Sequence, residues 1–468
     1  MSQRKRTPRY IVLILSGVLA ASFLFSGFSS LQKAEAAEKN GEHLAASESY
    51  ARAAQRLFWR DDLWERAGIS AAQGGDYQKA FAYFAKPPVL TEQGWLWLAT
   101  SYYQSGDIES AIAAAREGLN SYDSASLFRL LAFAYRSQKD WTAEKDALEN
   151  QLRLNDGDAY AHYRLGLLSM LDAPERALAE LTRASSLNPE VDSAAQTLIS
   201  ALNVSDTQPD ASGKSVTVGR ALGLVQEWEL ALLAFQRAVE ADAENAEAWA
   251  WLGEAKQQLG QDGRAELDRA LSLDRTSVNV RALRGLYWSR LGKYEQMLAE
   301  YLLAAEYEPE NPRWRASIGE AYARLGDAAS ALAAYQRAVE LAPNDAGYLR
   351  LLAVFCAENG VYVEEIGLPA AQQAAALAPN DPLMMDALGL SYLSSGRYAS
   401  AEQILLQAVR LAPEHFPAHI HLALTYLAQG NRSAAFNTLT FVRDADAGGV
   451  YAETAKQLLQ KYFPQHSP

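Results

Sequence analysis

The chain has 468 residues, 49% apolar and 21% charged, with 29 glycines and 16 prolines, a composition that excludes both a disordered and a collagen-like polymer. Its 43 Lys and Arg against 56 Asp and Glu leave a net charge of −13, so a nucleic-acid binder, which needs a basic face, is not expected. A single cysteine, Cys356, rules out a disulfide framework, a thiolate zinc cluster and a CxxC redox pair.

The basic N-terminus, 1–9, carries Arg4, Lys5, Arg6 and Arg9, and removing these four cations leaves −17 for everything downstream. An uncharged apolar run of nineteen residues follows, Tyr10 to Phe28. As a helix it extends about 28 Å, close to the thickness of a bilayer core. Residues 10–28 are therefore expected to be a single transmembrane helix or signal anchor. The cations ahead of it put residues 1–9 in the cytoplasm and the rest of the chain on the extracytoplasmic side. Ala34-Glu35-Ala36 also resembles a small-x-small cleavage site, which leaves open a removed signal peptide and a soluble periplasmic or secreted product.

Beyond the span a small residue recurs in one local setting, usually after Leu and three residues before an aromatic: Gly68, Ala99, Ala132, Gly166, Gly219, Gly253, Gly285, Gly319, Ala353, Gly389 and Ala423. The steps lie between 31 and 36 residues except for one of 53, from Gly166 to Gly219. The pattern is fullest around Gly319. Ile318 and Tyr322, four apart, share a helix face, and Gly319 lets a partner helix come close. Gly326 suits the left-handed end of that helix, and Asp327 is placed to cap the next. Ala331, Tyr335 and Ala338 then form one face of a second helix, which Pro343 stops.

With Trp314 ahead of it, this grammar resembles the tetratricopeptide repeat (TPR), whose motif is W-x2-L-G-x2-Y, then A-x3-F and a closing P. The resemblance covers residues 31–463 and is of the kind seen in membrane-anchored bacterial TPR proteins. It implies an all-α fold, a right-handed superhelix (α-solenoid) of about twelve helix pairs. The expected organisation is an N-terminal array over 31–203, a polar loop over 204–214, a C-terminal array over 215–445 and a capping helix over 450–463. Leu31 to Asn40 forms the first helix of a degenerate opening unit, so the apolar helix runs directly into the repeats. Within the long step, Ala194 to Leu202 is expected to be an unpaired helix. Pro369 is expected to interrupt the second helix of its unit.

Signals for chemistry are sparse. Gly213-Lys214-Ser215 looks like the end of a phosphate-binding loop, but Gln208 stands where the earlier glycine belongs. His415 and His419 are four apart and would share a helix face as metal ligands do, with His421 nearby; His419, however, occupies the repeat position that Trp249 and Trp95 fill elsewhere, which favours packing. No nucleophile-elbow, zinc-protease or dinucleotide motif occurs. The expectation is a protein without catalysis, metal or cofactor.

The resemblance implies instead that the first helices line a concave groove for a protein or peptide partner. The positions it assigns to that groove are Leu96, Tyr103, Arg129, Phe133, Arg136, Tyr160 and Tyr163, with Trp97 beside them. Aromatics interleaved with arginine suit an extended peptide, offering apolar pockets, cation–π contacts and carboxylate hydrogen bonds. Later units offer a more charged set, Glu247, Glu254, Arg313, Glu320, Arg350 and Asp386. The Lys and Asn pattern with which some family members clamp a terminal carboxylate is missing.

Overall fold

The computed structural model describes residues 9–464, the side chains of 9–17 and 20 excepted. The basic residues Arg4, Lys5 and Arg6 lie outside the described residues, as do the first side chains of the apolar run. The described residues form 26 α-helices with one 3-10 turn and one π turn, and no strand occurs among them. They divide into two compact units, Met1–Ala234 and Phe235–Pro468. Within each, consecutive helices pack on one another.

Local chemistry makes each hairpin. At Gly326 the backbone is left-handed, with φ +80°, and the Asp327 carboxylate accepts the Ser330 amide at 3.0 Å, closing one helix and opening the next. Gly106 and Asp107 repeat the arrangement, with φ +85° and 3.0 Å to the Ser110 amide. Lys139 holds the same place without being glycine, at φ 59°. Loss of the small-residue advantage there costs about 1 kcal/mol.

The recurrent glycine does something other than bring two backbones together. A Cβ on Gly285 would lie 2.4 Å from the Tyr301 ring, and one on Gly319 would lie 3.0 Å from the Tyr335 ring. Both glycines make room for a large side chain from the following helix, and that side chain forms the hairpin's core. At Gly253 the nearest neighbour is instead backbone, the Gly263 carbonyl at 2.8 Å.

A second device ties several first helices to the loop before them. Trp249 Nε1 donates to the Ala243 carbonyl at 2.9 Å, Arg281 Nη2 to the Arg275 carbonyl at 2.7 Å and His419 Nε2 to the Pro413 carbonyl at 2.9 Å. Each spans six residues. These donors satisfy loop carbonyls that would otherwise be left without a partner as the hairpins stack.

At the N-terminus one unbroken helix runs Arg9–Lys39. Its later half is the first helix of the first hairpin: a Cβ on Gly27 would meet Leu57 at 2.9 Å, Arg56 donates to Ser30 Oγ at 2.9 Å, and Ala34 and Ala37 are buried with Ala46, Tyr50 and Ala53. Among the described residues no helix is long and apolar enough to cross a membrane. The expected transmembrane helix over 10–28 thus finds no support there, and its last residues, from Leu24, already pack on the hairpin.

Other boundaries also differ from expectation. The polar stretch 204–214 is mostly helical: Asp192–Asp206 ends within it and Ala211–Leu224 begins within it, leaving a connection of four residues, 207–210. Asp210 is the reason, since its side chain accepts the Gly213 amide at 2.7 Å and starts a helix in a sequence that looks like loop. The helix Asp192–Asp206 is not solitary, since it packs between its two neighbours in the chain. Pro369 does not interrupt a helix but sits in the first turn of Leu368–Leu377, where no backbone donor is needed, after a π turn at Val363–Gly367. The last helix, Val450–Tyr462, buries Ala455 and Leu459 as a cap.

Candidate functional site

Three first helices of the N-terminal unit carry the groove residues. Glu92–Gln104, Ala125–Gln138 and Ala159–Ser169 are each opened by a side chain that accepts a backbone amide: Thr91 from Gly94, Ser124 from Leu127 and Asp158 from Ala161. On the second of these, Arg129, Phe133 and Arg136 fall at steps of four and three and so share a face. Tyr160 and Tyr163 do the same on the third.

Five of the eight expected residues, Arg129, Phe133, Arg136, Tyr160 and Tyr163, line one hollow of about 280 Å³. Ala132, Leu148 and Ala161 complete its apolar wall. Phe133 and Tyr160 keep 48% and 58% of their surface exposed, so the hollow presents aromatic surface to solvent. Trp97 lies apart from them, in a separate hollow with His43 and Tyr77. Tyr103 reaches the Ser137 hydroxyl at 3.1 Å, and the half-buried Leu96 lines neither of these two hollows.

The floor was not legible from the repeat pattern. Arg164 forks onto Glu144, with Nε to Oε1 at 2.6 Å and Nη2 to Oε2 at 3.1 Å, and its Nη1 reaches Glu227 at 2.8 Å. Glu144 and Arg164 are both buried. Burial alone would lower the Arg164 pKa, but hydrogen bonds to the two carboxylates outweigh it and hold the guanidinium more firmly charged than usual. Glu227 also accepts from Arg136 at 3.2 Å, tying together residues 91 positions apart. Burial, and then Glu227, pushes the Tyr163 phenol up, so it stays a neutral donor.

Two groups in this hollow are left over. Arg129 is exposed and forms no salt bridge among the described residues. Gln151 donates to Asp158 at 2.7 Å, yet its buried Oε1 has no hydrogen-bond partner. An open cation at the rim, aromatic walls and a neutralised floor can hold an apolar side chain flanked by a carboxylate.

The C-terminal unit holds a larger hollow of about 760 Å³, lined by Arg313, Glu320, Arg324, Tyr348, Phe355 and Glu358 among others. Glu254, expected in a groove, is instead buried and bound to Arg290 at 2.6 Å. His415 and His419, four residues apart, do not converge on a common site. His419 turns to its loop carbonyl and packs with its ring tilted 4.9 Å from that of Phe441, doing the work of Trp249, and burial lowers its pKa. His415 and His421 both bond Asp386, at 3.3 and 2.7 Å. Burial would raise the Asp386 pKa, but these bonds win and hold it below 3.8. Among the described residues no group of three or more His, Cys, Asp or Glu side chains could hold a metal ion.

Comparison with known proteins agrees with the hairpin geometry. Family models described as tetratricopeptide repeat match residues 315–345 and 392–461. A curated relative, BBSome complex member BBS4 of Bos taurus, is 23% identical over 318 residues; the match takes in 66% of this chain and 56% of that protein, so the chain spans little more than half its length. Among solved structures, the APC/C hetero-tetramer Cut9-Hcn1 is similar at 16% identity and TM-score 0.44, covering 92% of this chain and 95% of that one. Yeast Tom70 gives 15% identity and TM-score 0.41 over 94% and 97%. A tetratricopeptide repeat protein of Parabacteroides merdae gives 17% and 0.44 over 53% and 97%. From the recurring hairpins and the two family matches together, this chain carries tetratricopeptide repeats.

Proposed function

We propose that this protein is a non-enzymatic scaffold that holds an extended segment of a partner protein in the hollow of its N-terminal unit. Repeats of this family are protein-interaction modules, and the observation that carries the finer reading is Arg129, an uncommitted cation beside the exposed Phe133 and Tyr160 rings. The preferred segment has an aromatic or aliphatic side chain for the cavity and an acidic residue for Arg129. Display of a random peptide library against the full chain tests this. Wild type should enrich acidic-apolar peptides, and Arg129→Glu should lose them by about tenfold or more and shift enrichment toward basic ones. Identical enrichment by both would refute the reading.

The scaffold is further proposed to be anchored by the apolar helix, residues 10–28, with its repeats on the extracytoplasmic side. Support over a cleaved leader comes from Ala34 and Ala37, both buried in the first hairpin, since a cut after Ala36 would remove one of its helices. Protease protection in intact and opened cells reads the orientation, and N-terminal sequencing of the mature chain beginning at residue 37 would overturn the anchor.

A further inference from the structure

The apolar run and the first hairpin overlap. The run ends at Phe28, whereas packing on the hairpin begins at Leu24 and is tight by Gly27. Five shared residues of helix correspond to about 7 Å. If the run fills the hydrocarbon core, the end of the hairpin that touches Gly27 cannot stand clear of the membrane. That end is the connection after helix His43–Arg56.

Its side chains are unusual for a water-exposed turn. Leu57 is fully buried against Gly27, but Phe58 and Trp59 are 76% and 52% exposed, their rings 5.2 Å apart in an edge contact. Phe23 stands one turn before Gly27 on the same helix face, past the end of the partner helix, and is half exposed; Phe25 and Phe28 are exposed as well. Two nearby arginines are held in place, while the exposed Asp61 carboxylate forms no ion pair among the described residues. Arg60 is paired with Asp62 through two bonds of 2.7 Å, and Arg56 is bound to Ser26 and Ser30. Exposed aromatic rings suit the headgroup boundary, where Trp in particular accumulates and where charged groups such as Asp61 stay hydrated.

We infer that the Leu57–Arg60 connection inserts Phe58 and Trp59 into the interfacial layer of a lipid bilayer beside the anchor helix, fixing the first hairpin against the membrane surface. This rests on the anchor reading above. The occupant is lipid, because the exposed rings are continuous with the apolar run that the bilayer would surround.

The test uses the full chain in vesicles of phosphatidylcholine with about one-third phosphatidylglycerol. With Cys356→Ser removing the one native thiol, Trp59→Cys and, on the exposed turn at the opposite end of the hairpin, Asn40→Cys each take an environment-sensitive dye. The dye at 59 should shift to the blue by about 10 nm and be quenched by headgroup spin labels, while the dye at 40 stays aqueous. If the protein floats with vesicles but both dyes report water, the insertion is wrong and the anchor stands. If it does not float, both fail. A shift that grows with protein density in the vesicles would mean contact between copies and would equally overturn the inference.

Discussion

The hollows of the two units hold similar numbers of arginines and acids but use them differently. In the N-terminal unit Arg164 and Glu144 are buried and locked to each other, Glu227 ties in Arg136, and one cation, Arg129, is left at the rim of a small aromatic cavity. In the C-terminal unit the hollow is wider, and Glu320 and Arg324 approach only to 3.8 Å while both stay more than half exposed. Buried pairs shape a cavity because removing one partner strands the other, whereas solvated pairs leave a surface that water competes for. Charge content alone therefore does not make a selective site. What matters is which charges the packing has already neutralised.

The sharpest way to break this contrast is to delete one acid in each hollow. Glu144→Ala leaves Arg164 buried without its fork and should destabilise the protein by about 3–5 kcal/mol, whereas Glu320→Ala should cost under about 0.5 kcal/mol. Thermal melts of the two variants read the difference, and equal losses would mean that the floor of the smaller hollow is not an electrostatic lock.

A smaller effect is expected at Asp386, a buried acid of the C-terminal unit. Its folded pKa is depressed, so its contribution is complete above the ordinary carboxylate value of 3.8 and is lost as the pH falls through the lower folded value. Asp386→Asn should cost about 2 kcal/mol at neutral pH, and the gap from wild type should persist to mildly acidic conditions and close only below that range. A gap that closes near neutrality would assign the effect to the histidines instead. Smallest of all, Lys139→Gly should add about 1 kcal/mol by relieving the left-handed turn without altering peptide selection. A loss of stability would show that Lys139 contributes more through its 3.7 Å contact with Glu229 than the turn costs.

Much of this was legible in the sequence because stacking is periodic. Gly319, Gly326 and Asp327 announce a hairpin through local chemistry, and the faces of Ala125–Gln138 and Ala159–Ser169 follow from helical spacing. What spacing cannot supply is contact across the stack. Glu144 lies on a second helix and Glu227 follows a connection two hairpins further on, so neither belongs to the repeat positions from which a groove is inferred. Trp97 was grouped with the others by position, yet it faces a different hollow. The stretch 204–214 reads as loop because it is polar and holds Pro209 and Gly213, although Asp210 supplies the cap that starts a helix there. His415 and His419 looked paired at four residues apart, but the loop carbonyl of Pro413 claims one and Asp386 the other.

The central claim is that the small aromatic hollow, and not the wide charged one, grips the partner. Photo-crosslinking in living cells addresses it directly, with benzoylphenylalanine placed at Phe133 in one hollow and at Tyr348 in the other. A discrete partner adduct is expected from position 133 that Arg129→Glu abolishes, and none of that size from position 348. An adduct formed from 348 alone, or one from 133 that survives Arg129→Glu, would contradict it.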